Sequence, residues 1–185
     1  MEKLSKELEA AIRAMPEPEK DKILLRLIRK DRLLIKKLQF ELLSDEIKMK
    51  ENREELISSI KHMSKVGYSH TPGLLMMDMR DFSGSINEHV KVTKDKYDEV
   101  VLNLVLVNEF FKNNYERVLV GKERRADSFA RYVCKKADTV LKKLSKMHED
   151  YHLEFEEDVN EMLKLIYQYS PTKTEAEAMN LPKKL

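Results

Sequence analysis

Residues that interrupt helices are scarce in this sequence, and two long stretches contain none of them. Four glycines and five prolines occur among 185 residues. Neither type is found from Asp31 to Val66, or between Gly121 and Pro171. Both types are unfavourable inside helices, whereas the frequent Glu, Lys, Leu and Met favour them. We therefore predict an all-α fold, an irregular bundle of six to eight helices with a long C-terminal helix.

Apolar residues at helical spacing indicate both the long C-terminal helix and a central one. From Ala126 to Ile166, apolar side chains recur every three or four residues. An unbroken helix over 122–169 would be about 70 Å long, and two helices hinged near 145–153 are the alternative. The run Val100–Val107 is rich in β-branched residues, which favour strands, but a lone strand would have no partner. We predict that this run belongs to a buried central helix.

The first forty residues predict short helices. Apolar residues from Leu4 to Met15 lie on one helical face, and Pro16 ends that helix. Two successive ten-residue segments within 21–40 have similar sequences, so they form either two short helices or one continuous helix. If they are two, Asp31 caps the second, because its carboxylate accepts N–H groups of the first turn.

Two capping patterns mark helix starts in the middle of the chain. Thr71 followed by Pro72 is typical of an N-cap and the first helical residue. Ser85 and Glu88 have the spacing of a capping box, in which two side chains bond the free backbone N–H groups. We predict that one helix ends at the segment SGS around Gly84 and that another begins there.

The length, net charge and cysteine content of the chain indicate its domain organisation and its cellular compartment. We predict a single helical domain over residues 1–170, in which 1–43 is a candidate short-helix subregion, followed by a flexible tail over 171–185. The net charge of +2 singles out no partner. Cys134 is the only cysteine, which favours a reducing compartment.

The sequence also predicts that no membrane is involved. The N-terminal residues are charged and lack the apolar segment of a signal peptide. The longest apolar run, Val100–Val107, is far shorter than the ~20 residues needed to cross a bilayer. We expect a soluble, cytoplasmic protein.

The segment HEDYH, His148 to His152, has the spacing of a metal-binding motif. It resembles the H-E-x-x-H motif of zinc metalloproteases, in which both histidines bind the metal and the glutamate, here Glu149, deprotonates a water. Asp150 stands where those proteases carry uncharged residues, and no third-ligand motif follows. Glu149 and His152 also resemble one of the two Glu-x-x-His pairs of ferritin-like di-iron bundles, but the second pair is missing.

We interpret these histidines as structural. On a helical wheel, His148 falls inside the apolar stripe and His152 falls at its border. We predict that both imidazoles bond to neighbouring protein groups, and that the protein uses no metal or other cofactor.

Two pairs of carboxylates provide an enzymatic alternative. Glu51 and Glu54 are followed about two dozen residues later by Asp78 and Asp81. The pairs resemble the E-x-x-E and E-x-x-D motifs of all-α nucleoside triphosphate pyrophosphatases, whose carboxylates hold Mg²⁺ against the phosphates. The second pair begins with Asp where that family has Glu. The resemblance implies a Mg²⁺-dependent hydrolase, and the basic candidates for phosphate contact are Lys50 and Arg80.

A basic strip is predicted between residues 122 and 146, opposite the apolar stripe of the C-terminal helix. Its members are Arg124, Arg131, Lys135, Lys142 and Lys146. Such a strip suits phosphate groups, so nucleic-acid binding is the second alternative. Residues 149–161 then contain seven acids and no base. The basic and acidic blocks would pair head to tail in an antiparallel dimer.

The loop GYSHTPG, residues 67–73, is the clearest interruption between helices. It carries two polar candidates for a functional role, Tyr68 and His70. Loops held by a rigid scaffold often bind ligands, and a turn with no further role is the simpler interpretation.

A protein-binding role is the leading hypothesis. Apolar helical faces are abundant, whereas no motif supplies a complete catalytic set. We therefore predict a non-enzymatic helical module that binds a protein partner or associates with itself. The Mg²⁺-dependent hydrolase and the nucleic-acid binder are kept as alternatives.

Overall fold

The computed structural model describes residues 3–43, 46–66, 71–118 and 126–185. Within these ranges the chain forms nine α-helices and no β-strand, which confirms the predicted all-α fold. None of these helices combines the length and the apolar character that crossing a membrane requires. The helices are, in order, α1 (Lys6–Ala14), α2 (Glu17–Ile28), α3 (Arg32–Leu43), α4 (Glu46–Val66), α5 (Pro72–Thr93), α6 (Lys96–Val118), α7 (Ala126–Leu144), α8 (Glu149–Gln168) and α9 (Ser170–Ala178).

The chain divides into two compact units, Met1–Asp45 and Glu46–Leu185. We call them the N-terminal unit, with α1 to α3, and the C-terminal unit, with α4 to α9. The division falls close to the end of the candidate subregion 1–43. No residue of α1, α2 or α3 is buried, whereas α5, α7 and α8 each bury five or more. The hydrophobic core therefore lies in the C-terminal unit.

Side-chain caps start the short helices of the N-terminal unit. The Ser5 hydroxyl accepts a hydrogen bond from the Leu8 N–H at 3.2 Å and begins α1. Asp31 precedes α3, and its Oδ1 accepts from the Leu34 N–H at 3.0 Å, as predicted for a cap. The two similar segments within 21–40 therefore belong to two helices, α2 and α3.

Two details of the predicted architecture are wrong. The described ranges hold nine helices instead of six to eight, and the last of them, α9, has only nine residues. The helix predicted over 122–169 is interrupted between Leu144 and Glu149, which separates α7 from α8. The alternative with a hinge near 145–153 is therefore the correct one.

Helix α6 forms the centre of the C-terminal unit, because it packs against α4, α5, α7 and α8. Consecutive residues of a helix point about 100° apart, and both Leu106 and Val107 are fully buried. Neighbouring helices therefore cover α6 on more than one side. The helix predicted for Val100–Val107 is confirmed, and burial on several sides outweighs the preference of its β-branched residues for strands. The buried apolar residues of α6 are Val100, Leu102, Leu104, Leu106, Val107, Phe110 and Phe111.

Buried asparagines on α6 position it against the neighbouring helices. The Asn114 amide donates to the Ser64 carbonyl of α4 at 2.9 Å and to the Phe110 carbonyl of its own helix at 3.0 Å. The Asn108 amide donates to the Asp158 carbonyl of α8 at 3.0 Å. Because an unpaired buried amide costs free energy, these bonds favour one register of α6 against α4 and α8.

Asn103 makes the corresponding contact with α7. Its Oδ1 accepts from the Lys136 ammonium at 2.9 Å, and its amide donates to the Glu99 carbonyl at 2.7 Å. Burial lowers the pKa of Lys136, and the charge of Glu99 opposes that shift. Glu99 also pairs with Lys143 of α7 at 2.6 Å. A buried asparagine thus ties α6 to each of three neighbouring helices.

Helix α5 continues through the segment SGS, so the break predicted there is wrong. The Ser83 hydroxyl donates to the Met79 carbonyl at 2.7 Å, and the Ser85 hydroxyl donates to the Asp81 carbonyl at 3.4 Å. Both hydroxyls therefore bond to the preceding turn of the same helix instead of capping a new one. The spacing of Ser85 and Glu88 is that of a capping box, but the backbone there is helical.

The start of α5 is confirmed, and its end lies ten residues beyond Ser83. The Thr71 hydroxyl accepts from the Leu74 N–H at 3.3 Å, and Pro72 is the first helical residue. The helix ends at Thr93, after which Lys94 adopts a left-handed conformation with a φ of 59°. This conformation terminates helices and is uncommon for residues other than glycine.

Helix α9 packs against α7 and α8. Thr172, Ala176 and Leu181 are buried, and the Tyr167 hydroxyl donates to the Leu181 carbonyl. The buried Cys134 thiol of α7 donates to the Thr172 carbonyl at 3.4 Å. The flexibility of residues 171–185 stays a prediction, but the first half of that segment forms a packed helix.

Replacing Asn114 with alanine is expected to destabilise the C-terminal unit. The variant leaves the buried Ser64 carbonyl without its partner, so the free energy of unfolding should fall by about 1–3 kcal/mol. Asn87, an exposed residue within α5, is the matched control, and Asn87→Ala should change that free energy by less than about 0.5 kcal/mol. Urea unfolding followed by circular dichroism measures both values. Equal losses in the two variants would contradict the role assigned to Asn114.

Thiol labelling of Cys134 is expected to report the opening of α9. Burial raises the pKa of the Cys134 thiol to about 12, and the charge of Glu175 adds to the shift. A thiol reagent at neutral pH should therefore react only after local opening. Leu181→Ala removes a buried side chain and should speed labelling at least about tenfold. Leu185→Ala, at an exposed leucine, should leave the rate unchanged, and labelling of the native protein as fast as a free thiol would refute this account.

Candidate functional site

A charge cluster lies where α4, α5 and the start of α6 meet. At its centre is Asp98, whose side chain is only 6% exposed. Arg53 of α4 donates from Nη1 to the Asp98 Oδ1 at 2.9 Å, and His89 of α5 contacts the Oδ2 through its Nε2 at 2.8 Å. One carboxylate therefore joins three helices. We call Arg53, His89 and Asp98 the charge cluster.

The local sequence positions the backbone of Asp98. Lys94 ends α5, and the next residue, Asp95, caps α6. The Asp95 Oδ1 accepts from the N–H groups of Tyr97 at 2.8 Å and of Asp98 at 3.1 Å. A carboxylate is favourable there, because the first turn of a helix presents unpaired N–H groups and a positive dipole. The two aspartates thus lie in one tight turn.

Its partners keep Asp98 ionised. Burial alone would raise the pKa of Asp98, but the hydrogen bonds from His89 and Arg53, with their charges, outweigh burial and bring that pKa below its ordinary value. The hydrogen bond to Asp98 in turn raises the pKa of Arg53. Because an ionised carboxylate only accepts hydrogen bonds, the Nε2 atom of His89 carries a proton. The cluster thus pairs the Asp98 carboxylate with the Arg53 guanidinium and with the N–H group of the His89 imidazole.

Tyr97 connects the charge cluster with α8. The centroid of its ring lies 5.9 Å from the Arg53 guanidinium carbon, and its hydroxyl donates to Glu154 at 2.6 Å. That hydrogen bond, together with burial and the charge of Glu154, raises the pKa of Tyr97 to about 12. The ring also lies 5.6 Å from that of Tyr151 and 5.2 Å from that of Phe155, between centroids.

A cavity of about 270 Å³ opens beside the charge cluster. Asp95 and Asp98 line it, but the first carboxylate is engaged by the α6 backbone and the second by Arg53 and His89. The full lining is Met49, Lys50, Arg53, Asp95 and Asp98. These five side chains include no hydroxyl or thiol nucleophile. The cavity therefore offers charge and a small apolar wall.

The HEDYH residues do not form the shared helical face predicted for them. His148 precedes α8 as its N-cap, since its Nδ1 accepts from the Asp150 N–H at 3.4 Å, and its side chain is 73% exposed. The predicted place of His148 in the apolar stripe is wrong, because the wheel assumed a continuous helix and the chain turns after Leu144. Glu149 is the first residue of α8 and is exposed.

His152 has a different role. Its Nε2 lies 2.8 Å from the Leu144 carbonyl oxygen, and since a carbonyl only accepts, the imidazole donates. The bond completes the C-terminal end of α7, whose last carbonyls have no helical partners. Among the described residues, no group of three or more His, Cys, Asp and Glu side chains is placed to hold a metal ion.

The four carboxylates of the hydrolase alternative are divided between two helices. Glu51 and Glu54 are exposed on α4, whereas on α5 Asp81 is exposed and Asp78 is partly buried. Within the described ranges, no three of them come together as candidate metal ligands. The structure therefore does not bring these side chains into the arrangement that the resemblance implies.

The basic residues of that alternative have other neighbours. Lys50 lines the cavity beside the charge cluster. The Arg80 guanidinium carbon lies 5.6 Å from the centroid of the Tyr132 ring. Tyr132 belongs to α7, and its hydroxyl bonds to the Ser83 hydroxyl at 2.7 Å. Arg80 thus contributes to the packing of α5 against α7.

The predicted basic strip is partly paired with acids. Arg131 Nε lies 3.4 Å from the Glu175 Oε1, and Lys142 Nζ lies 2.6 Å from the Asp138 Oδ2. These contacts reduce the positive charge that the strip presents to a phosphate backbone. The members of the strip that are exposed in the described part of the chain are Arg131, Lys135, Lys142 and Lys146.

Three sequence candidates lie outside the described residues. Two of them, Tyr68 and His70, precede α5 in the sequence, and the third, Arg124, is the first residue of the predicted basic strip. A functional role for each of them stays a prediction.

Exposed apolar side chains are concentrated in the N-terminal unit. Seventeen large apolar side chains are exposed in the described residues, and ten of them belong to this unit, which spans only Met1–Asp45. We call these ten the apolar surface of the N-terminal unit. They are Leu4, Leu8, Ile12, Ile23, Leu24, Leu25, Leu27, Leu34, Leu42 and Leu43.

Sequence reasoning missed the charge cluster. Asp98 lies 45 positions from Arg53 and nine from His89, so no short motif contains all three. The only local indication is that two aspartates, Asp95 and Asp98, stand at the start of a very apolar helix. That pattern predicts an N-cap, but it does not predict which side chains meet the second carboxylate.

Comparisons with models of protein families, with curated proteins and with solved structures find no match to this chain. Its function must therefore be argued from its own residues.

Asp98→Asn is expected to remove an acid-sensitive part of the stability. Because the pKa of Asp98 is lowered in the folded protein from its ordinary 3.8, the ionised form stabilises the fold above that pH. This contribution is lost as the pH falls through the folded-state pKa. At pH 7 the variant should lose about 2 kcal/mol of unfolding free energy, less than for a fully buried pair because the Arg53 side chain is 26% exposed.

Urea unfolding of the wild type and of Asp98→Asn between pH 7 and pH 2.5 tests this expectation. The difference between the two proteins should shrink as the pH falls below about 3.8. Asp81→Asn, which neutralises an exposed carboxylate, is the control and should stay within about 0.5 kcal/mol of the wild type at pH 7. A difference between wild type and Asp98→Asn that stays constant across this range would count against the role of the Asp98 charge.

Proposed function

We propose that this protein is a non-enzymatic helical module that binds another protein through the apolar surface of its N-terminal unit. The observation that carries the proposal is that α1, α2 and α3 bury no residue and leave nine large apolar side chains exposed, with Leu4, just before α1, as the tenth. Extended apolar patches on a protein surface mark interaction sites. In this proposal, the C-terminal unit is the stable scaffold.

The lengths of the three helices support the need for a partner. α1 has 9 residues, and α2 and α3 have 12 each. Isolated helices shorter than about 12–15 residues are marginal in water, because most helical stability comes from packing an apolar face. Burial of the apolar surface against a partner would supply that packing.

The distribution of apolar residues on α2 favours a protein partner over a lipid surface. At 100° per residue, the segment from Ile23 to Ile28 places its five apolar residues over roughly 200° of the helical wheel. A helix that is apolar on several sides is stable when it is surrounded by other protein segments. A membrane surface would cover one face and would leave the others in water.

The site geometry gives the enzymatic alternative less support than the binding role. The cavity beside the charge cluster lacks a hydroxyl or thiol nucleophile, and its carboxylates are engaged within the fold. We therefore propose that the protein acts without a metal or other cofactor. The single cysteine, which is buried, favours a reducing compartment, so we place the protein in the cytoplasm.

Binding of the apolar dye ANS to the full chain tests whether the apolar surface is accessible. Dilute protein at high salt is used, because salt screens association through charges. The triple variant Leu24→Ser, Leu25→Ser, Leu27→Ser should lose at least about half of the ANS fluorescence of the wild type, since ANS reports exposed apolar surface.

The matched control removes three exposed apolar side chains from the C-terminal unit: Met63→Ser, Leu74→Ser and Met77→Ser. It should keep most of the fluorescence, and near-UV circular dichroism checks that both variants retain the C-terminal fold. Equal ANS fluorescence of wild type and N-terminal variant would overturn the proposed binding surface.

A further inference from the structure

Many basic residues lie next to the apolar surface of the N-terminal unit. Lys20–Lys37 contains eight basic residues and only two acids. Lys22 and Arg26 are exposed one helical turn apart on α2, next to the exposed Leu25 and Leu27. A partner that covers these leucines must therefore also meet a strongly basic rim, which favours an acidic surface.

Helix α8 of the same chain presents a surface of the opposite charge. Residues 149–161 contain seven acids and no base. At 100° per residue, four of these acids lie within an arc of about 100° on α8, and an apolar residue that is 76% exposed, Leu153, lies at the edge of that arc. At the neighbouring Asp158, partial burial raises the pKa, and the charges of Glu161 and Glu157 add to that shift. We call the following set the acidic face: Asp150, Leu153, Glu154, Glu157 and Glu161.

Part of the acidic face is already engaged within its own unit. Glu154 accepts from the Tyr97 hydroxyl, and Glu161 lies 3.3 Å from the Lys112 ammonium. Asp150, whose side chain is 87% exposed, lies 3.2 Å from the Nδ1 of His148. Glu157 is exposed as well. Asp150 and Glu157 therefore stand in water on the same side of α8 as Leu153.

We propose that the partner of the N-terminal unit is a second copy of this chain, whose acidic face pairs with the basic segment Lys20–Lys37. The inference rests on the proposed function and identifies its partner. Charge complementarity carries it, because one chain contains both a segment with a net charge of +6 and one with seven acids. Leu153 and Tyr151, which are both exposed on α8, supply apolar contact for the leucines of α2.

Such a pairing is reciprocal. In a twofold dimer, the N-terminal unit of each copy lies on the α8 helix of the other, so the same contact is made twice. Direct pairing of two N-terminal units would instead bring their like charges together, which is unfavourable. The dimer should weaken as the salt concentration rises, because exposed charges are screened within about 3 Å at 1 M salt.

Charge reversal on the two surfaces tests the pairing in the full chain. The N-terminal reversal is Lys22→Glu with Arg26→Glu, and the α8 reversal is Asp150→Lys with Glu157→Lys. Sedimentation velocity over a range of concentrations should show dimers of the wild type. Each reversal alone places like charges opposite one another at the substituted positions of both contacts, so the dissociation constant should rise at least about 100-fold.

An equimolar mixture of the two reversed proteins distinguishes this pairing from any other. In one contact of the mixed dimer, the glutamates introduced into α2 of one copy face the lysines introduced into α8 of the other. In the second contact, the unchanged basic segment meets the unchanged acidic face. We therefore expect the mixture to dimerise about as tightly as the wild type. The control, Lys135→Glu with Lys146→Glu, reverses two exposed charges elsewhere and should leave the dissociation constant unchanged, while thermal unfolding confirms that all variants fold.

Three results would overturn the inference. They are a wild type that stays monomeric at every concentration, reversed variants that dimerise as well as the wild type, and reversed variants that do not associate when mixed. If the wild type is monomeric and binds vesicles that contain anionic lipid, the partner of the basic segment is a membrane surface instead of a second copy. If the wild type is monomeric but the ANS result holds, the second copy is excluded as the partner and the proposed binding function survives. If the wild type is monomeric and the N-terminal variant also keeps the ANS fluorescence of the wild type, the proposed binding function is wrong as well.

Discussion

The fold of the C-terminal unit depends on the burial of α6 by four other helices. A helix in that position has almost no exposed face, so each polar side chain on it must find a partner inside the protein. Asn103, Asn108 and Asn114 bond to groups on α7, α8 and α4. In the part of the chain that the structure describes, the buried Oδ1 of Asn108 is left without a hydrogen-bond partner. Apolar contacts would tolerate several registers, whereas an amide that faces a carbonyl tolerates few. Asp98 lies in the first turn of the same helix, and the charge cluster extends this polar pairing to α5 at the N-terminal end of α6.

The parts of the fold that depend on local chemistry could be predicted from the sequence. The scarcity of glycine and proline predicted helices, and the caps at Asp31 and Thr71 involve side chains that bond three residues ahead. The same local reasoning failed at Ser85, because a serine hydroxyl can also bond to the preceding turn of a continuing helix. It failed at His148 because a helical wheel has meaning only within one helix.

The candidate site could not be predicted, for two different physical reasons. The charge cluster joins residues that are distant in sequence, and a buried ion pair forms only where packing places both partners together. The apolar surface differs, because its residues are close together in the sequence. The leucine spacing in α2 predicts a helix with an apolar face, but it does not predict whether the rest of the chain buries that face. The pattern of Leu24, Leu25 and Leu27 is equally compatible with a core helix. Their exposure became evident only from the arrangement of the folded chain.

The position of the apolar surface in the chain also has a consequence for biosynthesis. Ribosomes add roughly 5–20 residues per second, and the 140 residues of Glu46–Leu185 follow the N-terminal unit. The leucines of α2 and α3 are therefore made roughly 6–30 seconds before the last helix of the scaffold. During that interval they are short helical segments with exposed apolar side chains, which is the kind of segment that chaperones shield and that aggregates when it is left unshielded. The exposure of this apolar segment to water therefore begins before the scaffold is complete.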